Sequence, residues 1–188
     1  VYIDDTTVPT IDCSNVTNLV MECVEGADYP AQIEAWIAAA KLTILADPQT
    51  DDACDVSLAI SDNYNGMDVP ALSCDLSSGL TMVFTVTDEC GNAATCAKTV
   101  YIDDTTPPMI TTLPTSLDAT LECSNTTGID AALLLIPAAT DNCDATPTIS
   151  LSSDVTTPGT CPQEYVRVKT WRFRDDCGNV SGTFTQTV

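Results

Sequence analysis

Two stretches of the chain alternate between apolar and polar positions, which is the pattern of half-buried β-strands. Residues 81–87 read TMVFTVT and residues 165–173 read YVRVKTWRF, and both are rich in β-branched and aromatic side chains. Because successive side chains of a strand point to opposite faces, the first stretch predicts one row that faces a core. The members of this row are Leu80, Met82, Phe84 and Val86.

The second stretch matches the first only in part. When the two are aligned on the cysteine that follows each, Trp171 and Phe173 occupy two of the core positions, whereas Arg167 and Lys169 fall on the other two. An unpaired cation is costly to bury in an apolar core. We therefore expect a bulge or a strand end near Thr170.

One segment has a helical period instead. Within residues 30–42, apolar side chains recur at i, i+3, i+4 and i+7 from Ile33, and Pro30 suits the first helical position. A shorter counterpart is expected at residues 129–135, where Pro137 would stop the helix. Each half of the chain is thus predicted to carry a short helix among its strands.

The chain contains an internal repeat. VYIDDTT occurs at residues 1–7 and again at residues 100–106, and TDECGN ending at Asn92 corresponds to RDDCGN ending at Asn179. The repeat predicts two modules, residues 1–99 and 100–188, of a longer tandem array. Four cysteines recur in the same order, as Cys23, Cys54, Cys74 and Cys90 in the first copy and Cys123, Cys143, Cys161 and Cys177 in the second.

The composition excludes several classes of function. The chain has 27 acidic residues, 6 basic ones and no histidine, so its formal net charge is -21. A surface this negative repels nucleic acid and anionic lipid, and the lack of histidine excludes Ser-His-Asp and Cys-His nucleophiles. Because 44% of residues are hydrophobic, with no apolar run of membrane-spanning length, we expect a folded protein that does not insert into a membrane. We do not expect an enzyme.

The cysteines indicate disulfides and an extracellular location. There are ten, an even number, with neither histidine nor CxxC pairs beside them; the alternative is a set of buried free thiols. Cys13 and Cys96 occur only in the first copy, and their equivalents in the second copy are missing together. A pair that is present together and absent together is most simply one bridge, Cys13 to Cys96.

Several motifs together resemble the hyalin-repeat-like (HYR-like) modules of large secreted and surface proteins, notably of Bacteroidota. They are DDTTPP at residues 103–108, LEC at 121–123, TDNCDATPTI at 140–149 and the TW...DDCGN run at 170–179. The resemblance implies an all-β fold of two tandem, disulfide-rich Ig-like β-sandwich modules, to which the helical patterns add one short insert each. It also implies a surface adhesin, stalk or filament without catalytic activity.

The Ig-like topology that the resemblance implies suggests how the shared cysteines pair. Four cysteines allow three connectivities, and the sequence alone does not choose among them. If the CGN segment lies in the F–G loop and the DACD or DNCD segment in the B–C loop, each end of a module holds one pair. We then expect the pairs Cys54–Cys90, Cys23–Cys74, Cys143–Cys177 and Cys123–Cys161.

Aspartates gather at one end of each module in the same topology. Converging carboxylates repel one another unless they are solvated or neutralised, and their hard oxygen atoms suit Ca²⁺. One hypothesis is a calcium ion that stiffens the joint between modules; the other is a solvated acidic end, with Asp chosen for turns and caps. The candidate ligands are Asp4, Asp5, Asp52, Asp55 and Asp88 in the first copy, and Asp103, Asp104, Asp141, Asp144, Asp175 and Asp176 in the second.

The positions of the basic residues suggest which partners the chain could bind. Four of the six lie together in the second copy, as Arg167, Lys169, Arg172 and Arg174. Such a strip can meet an acidic face of another copy in a fibre, or it can form local ion pairs on a solvated strand. The rival function is a module that binds a surface glycan or protein through the loops at its acidic end.

Two threonines are candidate modification sites. Thr6 and Thr105 each follow an aspartate in a DTT motif. This matches an acceptor pattern of O-glycosylation that the resemblance to Bacteroidota modules makes relevant. Glycosylation is therefore expected at both threonines.

Overall fold

The computed structural model describes residues 4–54 and 57–188 of the chain. The chain forms two compact units, residues 1–104 and 105–188. The first unit contains β1 (Leu19–Glu22), α1 (Tyr29–Ala46), β2 (Ala59–Asp62), β3 (Leu80–Thr87) and β4 (Ala93–Asp103). The second contains β5 (Met109–Ile110), α2 (Thr126–Leu133), β6 (Ala139–Thr140), β7 (Thr148–Pro158), β8 (Tyr165–Arg174) and β9 (Phe184–Thr187).

The strands of the first unit form a four-stranded sheet in the order β1-β4-β3-β2. β3 pairs antiparallel with both of its neighbours, whereas β1 runs parallel to β4, from Leu19 opposite Val100 to Glu22 opposite Asp103. β4 therefore continues past Thr99, where the sequence repeat predicts the end of the first module. The compact unit extends to Asp104 because the last residues of β4 complete this sheet.

Helix α1 packs its apolar face into the core of the first unit. Asp28 caps the helix, and its side chain accepts a hydrogen bond from the Ala31 N–H at 3.1 Å. Trp36 lies against Phe84 with ring centroids 5.8 Å apart. The predicted helix is confirmed but runs further, to Ala46, because Ile44 continues the apolar face. The buried residues of α1 are Ile33, Ile37, Ala40 and Ile44, and they share a cluster with Met82, Phe84 and Val86 of β3.

The second unit has a three-stranded sheet, β7-β8-β9, and a two-stranded one, β5-β6. Trp171, Phe173 and Phe184 are its buried aromatic residues. The irregularity expected near Thr170 is present as a register shift on the neighbouring strand, between Leu151 and Ser153 of β7. The bulge therefore consists of one extra residue, Ser152, in β7, while β8 stays regular.

Helix α2 is held at both ends by side chains. The Asn125 side chain accepts a hydrogen bond from the Gly128 N–H at 3.0 Å at the first turn. At the other end, Gln186 donates to the Ala132 carbonyl and Lys169 donates to the Leu133 carbonyl, each at 2.8 Å. The helix occupies 126–133 rather than the predicted 129–135, because Asn125 provides a cap earlier in the chain than the apolar pattern shows.

Together these elements give a mainly β protein with one helix in each unit, which confirms the fold class at this level. Within the described part of the chain, neither helix is long and apolar enough to cross a membrane.

Candidate functional site

The turn between β3 and β4 is organised by an Asp and an Asn four residues apart. The Asp88 N–H donates to the Asn92 carbonyl at 3.1 Å, and Gly91 takes a positive φ of 93°, which a side chain would oppose. Asp88 Oδ1 and Oδ2 accept from the Asn92 backbone N–H and side-chain amide at 2.7 and 2.8 Å. The same amide donates to the Asp5 carbonyl at 3.1 Å, so the turn is also bonded to the segment that contains Asp5.

The carboxylate of Asp88 is committed to this turn. Burial opposes its ionisation, but hydrogen bonds from Asn92, Gly91 and Cys90 outweigh that effect and lower the pKa of Asp88. Because both of its oxygens accept hydrogen bonds from Asn92, this predicted metal ligand serves the turn.

The corresponding turn in the second unit has the same backbone. The Asp175 N–H donates to the Asn179 carbonyl at 3.2 Å, Asp175 Oδ1 accepts from the Asn179 N–H at 2.8 Å, and Gly178 has a φ of 95°. Asp175 is 5% exposed. Its Oδ2, however, is buried without a hydrogen-bond partner among the described residues, unlike Oδ2 of Asp88.

In two aspartates of the first unit, Asp5 and Asp52, only one carboxylate oxygen accepts a hydrogen bond from the described residues, as in Asp175. Asp5 Oδ1 accepts from the Thr7 N–H at 3.0 Å, and Asp52 Oδ1 accepts from the Cys54 N–H at 2.8 Å. Oδ2 of each is buried and has no hydrogen-bond partner in residues 4–54 or 57–188. One carboxylate oxygen of Asp5, one of Asp52 and the sulfur of Cys54 lie within 4.8 Å of one another.

Asp141 takes the place of Asp52 in the second unit. Its Oδ1 accepts from the backbone N–H groups of Cys143 and Asp144, each at 2.9 Å, while its Oδ2 is buried without a partner in the described chain. A carboxylate oxygen of Asp141 lies within 4.8 Å of one of Asp175. Each unit thus brings two aspartates together with one oxygen of each unused.

The remaining predicted ligands do not belong to these two pairs. Asp4 and Asp176 are exposed, Asp144 accepts a hydrogen bond from the Thr146 N–H at 2.7 Å, and Asp55 lies outside the described residues. At the end of the first unit, Asp103 is half-buried and accepts from the N–H of Asp104, which is buried.

The two candidate glycosylation sites, Thr6 and Thr105, are exposed, so the structure leaves both open to modification. The glycosylation hypothesis stays a prediction.

The structure places the cysteines in three states. Cys13 and Cys96 form a disulfide with their Cα atoms 6.4 Å apart. Cys54 and Cys90 are exposed in turns, and their pairing stays a prediction. Cys123 and Cys161 are exposed thiols that border one cavity of about 430 Å³, rather than the predicted bridge. The other disulfide-bonded cysteines are Cys23, Cys74, Cys143 and Cys177.

Two of the four residues of the basic strip, Arg167 and Lys169, form bonds within the second unit. Arg167 donates two hydrogen bonds of 2.7 Å to Asp154, and this guanidinium holds the pKa of Asp154 below its usual range. Lys169 binds the α2 carbonyl described above and lies 5.1 Å from the Trp171 ring centroid. Arg172 and Arg174 are exposed.

The sequence interpretation missed the role of Asn92, which it used only as a repeat marker. The available signal was the recurrence of Asn four residues after Asp in both CGN turns. It also missed the cavity of the second unit, whose lining comes from segments far apart in sequence.

Comparison with known proteins gives one informative similarity. No family model matches the chain. Over 122 residues, 63% of the chain, it is 32% identical to hyalin of the sea urchin Strongylocentrotus purpuratus. The match covers 10% of that protein's length. This similarity and the disulfides are compatible with an extracellular structural or adhesion module.

Proposed function

We propose that the chain is a pair of Ig-like, non-catalytic modules of an extracellular adhesin, stalk or filament, and that its role is to bear load. The similarity to part of hyalin supports an extracellular setting, and the sheet of the first unit supports a β module. The observation that carries the mechanical part of the proposal is the position of the Cys13–Cys96 disulfide.

This disulfide closes the first unit almost from end to end. Cys13 precedes β1, whereas Cys96 lies in β4, the last strand of the unit. When the unit is pulled from its ends, only the 12 residues before Cys13 and the 8 after Cys96 can extend. At roughly 3.5 Å per residue, that allows about 70 Å of chain. The whole core formed by α1 and the sheet lies inside the closed loop.

Single-molecule extension of the chain tests this role. In the oxidised protein, the first unit is expected to contribute about 70 Å of contour length, and after complete reduction about 360 Å. The second unit has no equivalent of the Cys13–Cys96 bridge and is expected to extend further than the first in the oxidised protein. An oxidised first unit that extends along its full length would overturn the load-bearing role.

A second candidate is a module that binds a surface glycan or protein. The cavity of about 430 Å³ in the second unit favours it, because Tyr165 on its rim is 37% exposed and Glu122 and Glu164 offer acceptors to sugar hydroxyls. Glycan-array binding that Tyr165→Ala abolishes would support this function. Binding that the substitution leaves unchanged would remove the cavity from consideration.

A further inference from the structure

The unused oxygens of the buried aspartates have an unusual environment. Asp52 is 8% exposed and Asp175 is 5% exposed, yet one carboxylate oxygen of each accepts no hydrogen bond from the described residues. A buried carboxylate oxygen is normally hydrogen-bonded or paired with a cation. Both side chains are aimed at a second carboxylate, that of Asp5 or Asp141, within 4.8 Å.

No side-chain cation of the described chain neutralises these pairs. The ion pairs among the described residues join Lys41 to Asp62 and Arg167 to Asp154. Arg174 lies over Gly178 in the turn that follows Asp175, but it forms no ion pair with either aspartate within residues 4–54 and 57–188. Each unit therefore holds two converging carboxylates without a positive partner from the described protein.

The orientation of each pair is fixed in advance. Backbone N–H groups hold Oδ1 of Asp5 and Asp52 in the first unit, and Oδ1 of Asp141 and Asp175 in the second. A carboxylate held by one oxygen cannot rotate its other oxygen into solvent without breaking those bonds. In each pair, one oxygen of one carboxylate lies within 4.8 Å of an oxygen of the other, which is close enough for a single metal ion to bind both.

We infer that each unit binds one divalent cation of hard, oxygen-seeking character, Ca²⁺ by preference, through Asp5 and Asp52 in the first unit and Asp141 and Asp175 in the second. Carboxylates are common to both sites, whereas a cysteine accompanies only the first; Cys143, at the matching position, is disulfide-bonded. The shared chemistry selects oxygen rather than sulfur coordination. These sites lie within the units and do not depend on the load-bearing role.

Isosteric substitution tests the inference. In Asp52→Asn the amide oxygen can still accept from the Cys54 N–H, but the charge is lost, and Asp175→Asn does the same beside Asn179. The matched controls are Asp51→Asn and Asp176→Asn, which remove an exposed charge from the adjacent position. Ca²⁺ binding to the full chain is measured by calorimetry after removal of metal with a chelator.

The expected result is one Ca²⁺ per unit. Each site variant is expected to lose one site or weaken it by at least about tenfold, whereas each control retains both. Without Ca²⁺, Asp52→Asn should melt above the unsubstituted chain because repulsion is relieved; with Ca²⁺ the order should reverse. This reversal distinguishes a metal ligand from a merely structural residue.

Three results would overturn the inference. The first is an unchanged melting temperature at millimolar Ca²⁺. The second is equal loss of binding in Asp51→Asn and Asp52→Asn, which would show a diffuse acidic surface. The third is Zn²⁺ binding in place of Ca²⁺ that Cys54→Ser abolishes, which would show thiolate coordination.

Discussion

The contribution of the Cys13–Cys96 disulfide to the unfolding free energy of the first unit can be calculated from the length of the loop that it closes. The perturbation is the double substitution Cys13→Ser and Cys96→Ser in the full chain. The two cysteines are separated by 83 positions, and a bridge over such a distance stabilises mainly by restricting the unfolded state. A loop of this length corresponds to about 4.5 kcal/mol of unfolding free energy in the chain-entropy relation.

The inner bridge reduces this figure. Cys23 and Cys74 are both disulfide-bonded, and the Ig-like topology that the family resemblance implies pairs them with each other. If that bridge remains, the loop closed by Cys13 and Cys96 shortens to 10 residues up to Cys23 and 22 residues from Cys74 onward. The same relation then gives about 3.7 kcal/mol. We therefore expect the double variant to lose about 3.7 kcal/mol from the first unit.

The two tryptophans make the assay selective. Trp36 lies in α1 of the first unit and Trp171 in β8 of the second. In a Trp171→Phe background, urea unfolding followed by fluorescence reports the first unit alone, and Trp36→Phe isolates the second. With a slope of roughly 1–3 kcal/mol per molar urea, the Trp36 midpoint should fall by about 1–4 M while the Trp171 midpoint stays. A Trp36 midpoint that does not move, or an equal fall in both, would refute the reasoning.

Three further predictions concern the second unit. Hydrogen bonds from the Cys161 and Thr160 N–H groups and the Thr160 hydroxyl lower the pKa of Glu164, so its stabilising effect is present above about pH 4.3 and is lost as pH falls through the folded-state value. Thermal melting should show this acid sensitivity, and Glu164→Gln should flatten it. Cys123 and Cys161 are exposed thiols, so both should react with an alkylating reagent in the native protein; two cysteines that resist alkylation would contradict this. Replacing Arg172 and Arg174 by Gln should weaken any self-association at low salt, measured by sedimentation, and unchanged association would exclude these arginines from the interface.

The spacing of apolar residues predicted α1 and β3, because the buried face of each is formed by residues close together in the sequence. The i, i+3, i+4 spacing from Ile33 located α1, and alternation located β3 with Phe84 facing the core. The parallel pairing of β1 with β4 could not be predicted in this way, because it joins residues about eighty positions apart. The extent of the first compact unit, to Asp104, could not be predicted for the same reason, because it depends on which strand the segment after Thr99 pairs with.

The sequence also could not predict which aspartates of the candidate site keep an oxygen without a hydrogen bond. Asp88 and Asp175 hold the same position in the repeat and form the same backbone turn. The sequence therefore ranks them equally as metal ligands. In the structure, the Asn92 amide occupies Oδ2 of Asp88, whereas Oδ2 of Asp175 has no partner in the described part of the chain. The hydrogen bond from the Asn92 side chain therefore distinguishes two turns with the same backbone, and no spacing pattern in the sequence shows this difference.

The two units reach stability by different means, and this bears on how such an array would respond to force. The first has an apolar cluster between an 18-residue helix and its sheet, closed by an outer disulfide. The second has an 8-residue helix whose end is held by polar bonds from Gln186 and Lys169. The buried aromatic residues Trp171, Phe173 and Phe184 form a smaller apolar group there, and no counterpart of the Cys13–Cys96 bridge encloses it. Under the proposed load-bearing role, the second unit should therefore extend first, while the first unit keeps its core closed behind Cys13 and Cys96.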